Sequence, residues 1–472
     1  MNAKILLLPA GMAILLAGCS MAPNYTRPQP PTPADWPKGP AYLDAGPAPG
    51  ASAALDLVWR EFFTDPKLQA VIGMALDNNR DLRLAALNVE RARGLYGIQR
   101  AELFPTVEAV GSGNKERVPA STLGGGGNGG SATLERYDVN LSVSSWEIDF
   151  FGRIRSLKDR ALEEYLATEQ ARRSARILIV SDVATAYLIL AADRESLRLS
   201  ETTLETQQAS YDLVRRRFEL GLASELDLRR VQTTVDAARA DVARFTQRAA
   251  QDENALDLLA GTPVPRELLP EDLESIRPPE EISSGLPSEV LLGRPDIMAA
   301  EHLLKGATAN IGAARAAFFP RISLTAAAGT ASGELSGLFS TGSGAWTFSP
   351  EAVLPIFDAR IWPALAVSRV DKDIAVAQYE RAIQNGFREV ADALAVRGTV
   401  DRQISAQQSL VDASARTYRL SNVRFEKGID DYLGVLDAQR SLHAAQQTLI
   451  AARLVGIANQ VRLYTVLGGG GE

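Results

Sequence analysis

Few side chains in this 472-residue sequence could do covalent or acid–base chemistry, and their spacing argues against most of it. There is one cysteine, Cys19, and there are two histidines, His302 and His443. A single thiol rules out a disulfide framework and any cysteine-based zinc site. The histidines are too far apart for a local His-x-x-x-His metal pair. Each falls in an expected helix with no evident partner. Gly342-Ser343-Gly344 lacks the flanking spacing of a nucleophile elbow. The run from Gly124 to Gly130 has no following Lys-Ser or Lys-Thr and no strand–helix context, so it is not a phosphate loop. No catalytic set remains, and no enzyme activity, cofactor or metal is expected. The 50 Lys and Arg against 57 Asp and Glu leave a net charge of −7. That balance argues against a nucleic-acid partner, which needs a basic face. At 46% apolar and 23% charged, the chain has the composition of a folded protein.

What precedes Cys19 sets its chemistry. Lys4 supplies a positive start, and Ile5 to Leu16 is an apolar run too short to span a bilayer. It ends in Leu16-Ala17-Gly18-Cys19, which resembles the bacterial lipoprotein box. Residues 1–18 therefore read as a signal peptide, and Cys19 as the lipidated first residue of the mature chain. In lipoproteins an Asp after the cysteine favours inner-membrane retention. Ser20 stands there instead and points to the outer membrane. Residues 19–54 are rich in Pro, Ala and Gly and cannot continue a helix. Composition allows either a strap along the body or a disordered tether.

The elements behind these residues come in two copies. Ala101-Glu102-Leu103-Phe104-Pro105 matches Ala316-Ala317-Phe318-Phe319-Pro320. Phe150-Phe151-Gly152-Arg153 matches Phe357-Asp358-Ala359-Arg360. Arg217-Phe218-Glu219-Leu220-Gly221 matches Arg424-Phe425-Glu426-Lys427-Gly428, and Leu259-Ala260-Gly261 matches Val466-Leu467-Gly468. A nearly fixed offset over separate landmarks indicates internal duplication. The expected layout is a first repeat over 55–262, with a β-hairpin at about 103–150 and a long helical hairpin over 153–260. A linker over 263–285 follows. The second repeat covers 286–468, with a β-hairpin at about 318–357 and a helical hairpin over 360–467, before a tail over 469–472. Tyr137, Val139, Leu141 and Val143 alternate with polar residues, as do Ile322 and Leu324, which reads as strand. Thr106 to Gly113 is the weakest of the four runs. Trp146, Trp346 and Phe348 fit either a membrane-interface girdle or ordinary core packing. Aromatic residues are only 6%, and long proline-free stretches carry apolar residues at steps of 3 and 4, such as Leu228, Val231 and Val235. These read as coiled-coil seams in a mainly helical chain. Two β-hairpins cannot close a membrane barrel alone, because open edges leave backbone groups unsatisfied in hydrocarbon. A ring of three chains would supply twelve strands.

Together these features resemble the TolC-type outer-membrane efflux ducts, and within them the lipoprotein subgroup that includes OprM, OprJ and MtrE. The resemblance rests on Cys19-Ser20-Met21-Ala22-Pro23-Asn24-Tyr25, the paired Phe-Pro junctions, and the segments Gly312–Pro320 and Tyr432–Gln439. It implies a mainly α fold with β. A homotrimeric 12-stranded transmembrane β-barrel, four strands per chain, would continue into a long periplasmic α-helical coiled-coil barrel. It also implies a periplasmic membrane-fusion adaptor and an inner-membrane resistance–nodulation–division pump as partners, with multidrug efflux as the function. A metal-efflux or type I protein-secretion duct is the alternative. Two hairpin tips would close the tube and dock the adaptor. Arg217, Phe218, Gly221, Leu222 and Ser224 belong to the first, and Arg424, Phe425, Gly428 and Tyr432 to the second. Leu433 and Asp437 match positions lining the closed constriction, and Asp227 matches an acid on the neighbouring tip. Where TolC has two successive Asp rings, this chain has Gly434 and Asp437, so only one ring carries over. Three copies of Asp437 would place like charges close together around the axis, disfavouring full ionisation and attracting cations.

Overall fold

A computed structural model describes residues 20–42, 57–119, 131–282 and 288–469. Cys19 and its signal segment, residues 43–54 of the strap, and the Gly124–Gly130 run lie outside the described residues. In chain order the elements are α1 (Trp59–Phe62), α2 (Pro66–Asn78), α3 (Arg80–Ala101), β1 (Val107–Pro119), β2 (Ser131–Ile148), α4 (Arg153–Glu219) and α5 (Glu225–Ala260). Then come α6 (Pro295–Ala316), β3 (Arg321–Ser332), β4 (Gly344–Val353), α7 (Ile361–Glu426) and α8 (Tyr432–Val466). Internal packing divides the chain into two units.

The first unit comprises Met1–Pro28, Val89–Ala167 and Ala300–Gln378, and it contains the sheet. Its strands run antiparallel in the order β1-β2-β3-β4, leaving β1 and β4 each with one edge unpaired among the described residues. Register sorts the side chains into two faces, since paired residues share a face. Val107, Ala109, Val139, Leu141, Val143, Ala326, Ala328, Trp346 and Phe348 fall on one. Glu108, Ser112, Asp138, Asn140, Ser142, Thr325, Thr347 and Ser349 fall on the other. A bulge between Val143 and Trp146 keeps this division intact. It inserts one residue, so Trp146 and Ile148 return to the apolar face although their parity has changed. Ser145 takes up the insertion at φ 53°, the one positive-φ residue other than glycine among those described. Its N–H donates to Thr325 Oγ1 at 3.1 Å. Trp346 and Phe348 stand exposed in the single chain, so they are not core residues.

Residues 20–28 pack within this unit rather than trailing free. Arg27 donates to both Glu301 oxygens, at 3.1 Å from Nε and 2.7 Å from Nη2, and the Tyr25 hydroxyl adds a bond at 3.0 Å. Burial works against the Glu301 charge, yet Arg27, Tyr25 and Lys305 outweigh it and hold the carboxyl below its ordinary range. Arg315 donates to Met21 O at 3.1 Å. His302, for which the sequence offered no partner, meets Glu163 Oε2 at 2.6 Å.

The second unit comprises Gln29–Asn88, Thr168–Ala299 and Tyr379–Glu472. Helix α2 starts where it does because Asp65 accepts from Leu68 N at 2.9 Å and Pro66 occupies the first turn. Ile177, Val180, Val183, Ala184, Tyr187 and Leu188 of α4 are buried. Tyr187 keeps its hydroxyl satisfied on Leu268 O at 2.9 Å. Phe62 stacks on Tyr464 with ring centroids 4.1 Å apart, and Tyr464 donates to Leu57 O at 2.7 Å. Residues 29–42 are again a strap. Trp36 stacks on Phe387 at 5.0 Å, and Ser288 donates to Pro33 O and Ala34 O. The described part of the Pro-rich segment makes these contacts with the rest of the chain.

Candidate functional site

Both hairpin tips are built on the same backbone device. At the end of α4, Gly221 sits at φ 70° and donates to Phe218 O at 2.9 Å, while Leu222 donates to Arg217 O at 2.8 Å. At the end of α7, Gly428 sits at φ 71° and donates to Phe425 O at 2.9 Å, while Ile429 donates to Arg424 O at 3.0 Å. Each pair of bonds is a Schellman closure, which satisfies the last carbonyls of a helix and needs a residue at positive φ. A Cβ built on either glycine meets no atom of the described residues within 4 Å, so the space beside both is open among them.

The return helices are capped differently. Ser224 caps α5, and its Oγ accepts from Asp227 N at 3.2 Å. Asp227 Oδ2 in turn accepts from the Ser224 hydroxyl at 2.7 Å and from Ser224 N at 3.2 Å. This capping box, led by the Ser224 hydroxyl, holds the Asp227 carboxyl below its ordinary range. The second tip cannot form the box, because the position three residues after its cap, Asp431, is Gly434. Instead Arg424 clips Asp430 through two bonds of 2.5 and 2.9 Å. That contact keeps the Asp430 carboxyl low and the Arg424 guanidinium high.

One apolar cluster joins the two tips. Val214, Val231, Tyr432, Val435 and Leu436 are buried together, with Tyr211, Ala223, Leu228, Tyr418 and Phe425 packed on them. Phe425 meets Tyr432 edge-on at 4.8 Å, and the Arg217 guanidinium lies over the Phe425 ring at 5.1 Å. Burial pushes the Tyr432 hydroxyl above its usual pKa. Three expected docking residues are therefore turned inward within the chain. Tyr432 is only 8% exposed, and Phe425 and Arg217 are half-buried around it. Phe218, Leu222, Ser224 and Arg424 are exposed, as are Leu433 and Asp437. Asp437 does not stand alone, because Arg440 one turn further along α8 donates to its carboxylate. The Asp-x-x-Arg spacing is a helix-neighbour signal that could have found this pair. Asp430 and the cluster beneath the tips gave no such signal.

A model of the outer membrane efflux protein family matches residues 71–262 and again 286–469. The antibiotic efflux pump outer membrane protein ArpC of Pseudomonas putida is 49% identical over 99% of this chain and 96% of its own. The solvent efflux pump outer membrane protein SrpC of the same species is 47% identical over 98% of both. Among solved structures, the open state of the Neisseria gonorrhoeae MtrE outer membrane channel is similar at a TM-score of 0.85. It is 36% identical, covering 96% of this chain and 98% of that one.

Proposed function

The chain belongs to the outer membrane efflux protein family, and we propose that three copies of it form the exit duct of a tripartite multidrug efflux pump. It is an outer-membrane efflux channel with a periplasmic portion. The finer reading gives each copy four strands of one twelve-stranded barrel and assigns the periplasmic gate to the hairpin tips. Cargo is delivered by an inner-membrane resistance–nodulation–division pump through a periplasmic adaptor. Antibiotics and organic solvents are the substrate classes, because similar proteins carry those names. A duct that conducts passively has no need of a catalytic centre.

The two-faced sheet with two unpaired edges carries this reading. An apolar face suits lipid and a polar face suits a water-filled lumen. Free edges on β1 and β4 require neighbours. Leu433 and Asp437 line the constriction in this proposal, with Asp227 on the adjacent tip. Arg440 beside each Asp437 offsets the like charges, so the ring is closer to a band of ion pairs than to a bare acidic ring. Tyr432, Phe425 and Arg217 shape the docking tips from inside, and Phe218, Gly221, Leu222, Ser224, Arg424 and Gly428 meet the adaptor.

The test is reconstitution in planar bilayers together with drug susceptibility. Replacing Leu433 and Asp437 with Ala should raise single-channel conductance and sensitise cells to vancomycin. Unchanged conductance in a correctly inserted trimer would move the gate elsewhere.

A further inference from the structure

His443 stands on α8, about 15 Å along the helix from Leu433. It is the only described histidine in the second unit, and its ring reaches three helices. Nδ1 lies 3.2 Å from Thr203 Oγ1 of α4. Nε2 lies 3.0 Å from Gln447 Nε2 on α8 itself and 3.6 Å from Asp241 Oδ2 of α5. The proton positions follow from the neighbours. Thr203 has one hydroxyl hydrogen, and it goes to Leu199 O at 2.8 Å. Toward the imidazole Thr203 can only accept, so Nδ1 carries a hydrogen. Gln447 presents an amide N–H₂, so Nε2 accepts and is bare. The network describes a neutral imidazole.

A second proton cannot enter this arrangement without changing it. Protonated Nε2 no longer accepts from Gln447, and the acceptor within reach on another helix is the Asp241 carboxylate. We propose that His443 is a positioning residue for the gate, whose protonation exchanges a bond within α8 for an ion pair to Asp241 of the first hairpin. In acid, the hairpin that carries Leu433 and Asp437 is then clamped to the α4–α5 hairpin. Near neutrality the imidazole reaches that hairpin only through Thr203, and the apolar cluster beneath the tips holds the rest. The inference rests on the gate assignment above for its functional consequence, but the clamp itself is a property of one chain. Imidazole is the side chain that ordinarily changes charge between about pH 5 and 8, which makes it suited to such a switch.

From α5 come Asp241 and its partner Arg244, which contacts the other carboxylate oxygen at 2.8 Å. From α4 comes uncharged Thr203. From α7, uncharged Gln407 donates to Ala445 O at 2.9 Å, next to the ring along α8. On α8 itself the nearest charges along the helix are the Asp437–Arg440 pair, one turn back toward the tip. Asp241 is therefore the group that distinguishes the charged from the neutral imidazole.

The experiment uses the full trimer and two readouts. One is the distance distribution between spin labels on exposed Ala240 of α5 and Ala444 of α8, in a Cys19→Ser background with dilute labelled chains. The other is open probability in planar bilayers. Between pH 7.5 and 5.5 the wild type should show a narrower distribution. It should also show about a two- to fivefold fall in open probability, the scale of one partly exposed ion pair. His443→Gln and Asp241→Asn should each lose that response while trimer yield stays normal. Gln447→Ala should keep it. A pH response that survives both His443→Gln and Asp241→Asn overturns the proposal. So does one abolished by Gln447→Ala, which would mean that a rotated Gln447 amide serves the charged ring instead. Distances that follow pH while open probability stays flat support the clamp and reject the gate assignment.

Discussion

Gly221 and Gly428 unite a backbone requirement with an empty neighbourhood, and substitution can separate the two. Asn tolerates the left-handed region, whereas a β-branched residue there is strained by about 1–2 kcal/mol. Gly221→Asn should therefore leave trimer yield near normal and still lower adaptor cross-linking and drug export, because it fills the space a partner helix would use. Gly221→Val should lose yield as well. Normal cross-linking in the Asn variant would remove Gly221 from the docking surface. The Ser224–Asp227 box makes a separate prediction. Asp227 has its folded pKa depressed, so its contribution is present above the unfolded carboxylate value and fades as pH falls through the folded one. Ser224→Ala should cost about 1 kcal/mol of local stability. It should speed amide exchange in the first turn of α5 at pH 7 and change it much less in strong acid. The tip glycines were legible in the sequence because a repeated Gly after a long helical period has few other uses. The inward turn of Tyr432 was not, because an aromatic residue at a helix start reads the same whether it faces solvent or a partner hairpin.

Strand β1 shows where elements outrun their sequence signal. Its apolar alternation ends near Gly113, yet the strand continues through Asn114, Lys115, Glu116 and Arg117 to Pro119. Paired polar side chains hold that extension, with Lys115 opposite Glu135 in an ion pair and Arg117 bonded to Ser131 Oγ at 2.7 Å. Alternating hydrophobicity reports only the part of a strand with one apolar face, so a longer polar ladder passes unseen. Long helical seams were easier to read, because a period sustained over many turns has no competing explanation. Between α4 and α5, Asp252 is pushed up to about 6 by burial first and then by the charge of Asp193 and a bond to it. A folded pKa above the unfolded one means that the stabilisation is full below about pH 4 and disappears as pH rises through about 6. The α4–α5 hairpin should open more readily at pH 8 than at pH 5, as read by amide exchange along both helices. Asp252→Asn should flatten that difference by protecting the hairpin at pH 8. A difference that persists in the variant would assign the sensitivity to other groups.

At the scale of the whole molecule the anchors are unequal. Cys19→Ala should abolish acyl incorporation, since the chain has no other cysteine. Heat-modifiable trimers should nonetheless persist in outer-membrane extracts, because twelve lipid-facing strands bury far more apolar surface than acyl chains do. Labelled palmitate in the variant would refute the lipidation reading. The need for partners was legible in four strands that cannot close a barrel. The polar pairs that dock the strap, such as Arg27 with Glu301, were not, because their members lie 274 positions apart. The unpaired edges of β1 and β4 also bear on inheritance. If every duct needs three complete edges, a variant that folds but presents one spoiled edge is built into rings beside normal copies. With equal expression of both forms, only about one ring in eight would be wholly normal under random assembly. Edge mutations should then behave as dominant alleles when co-expressed with the normal gene, whereas variants that never fold should remain recessive.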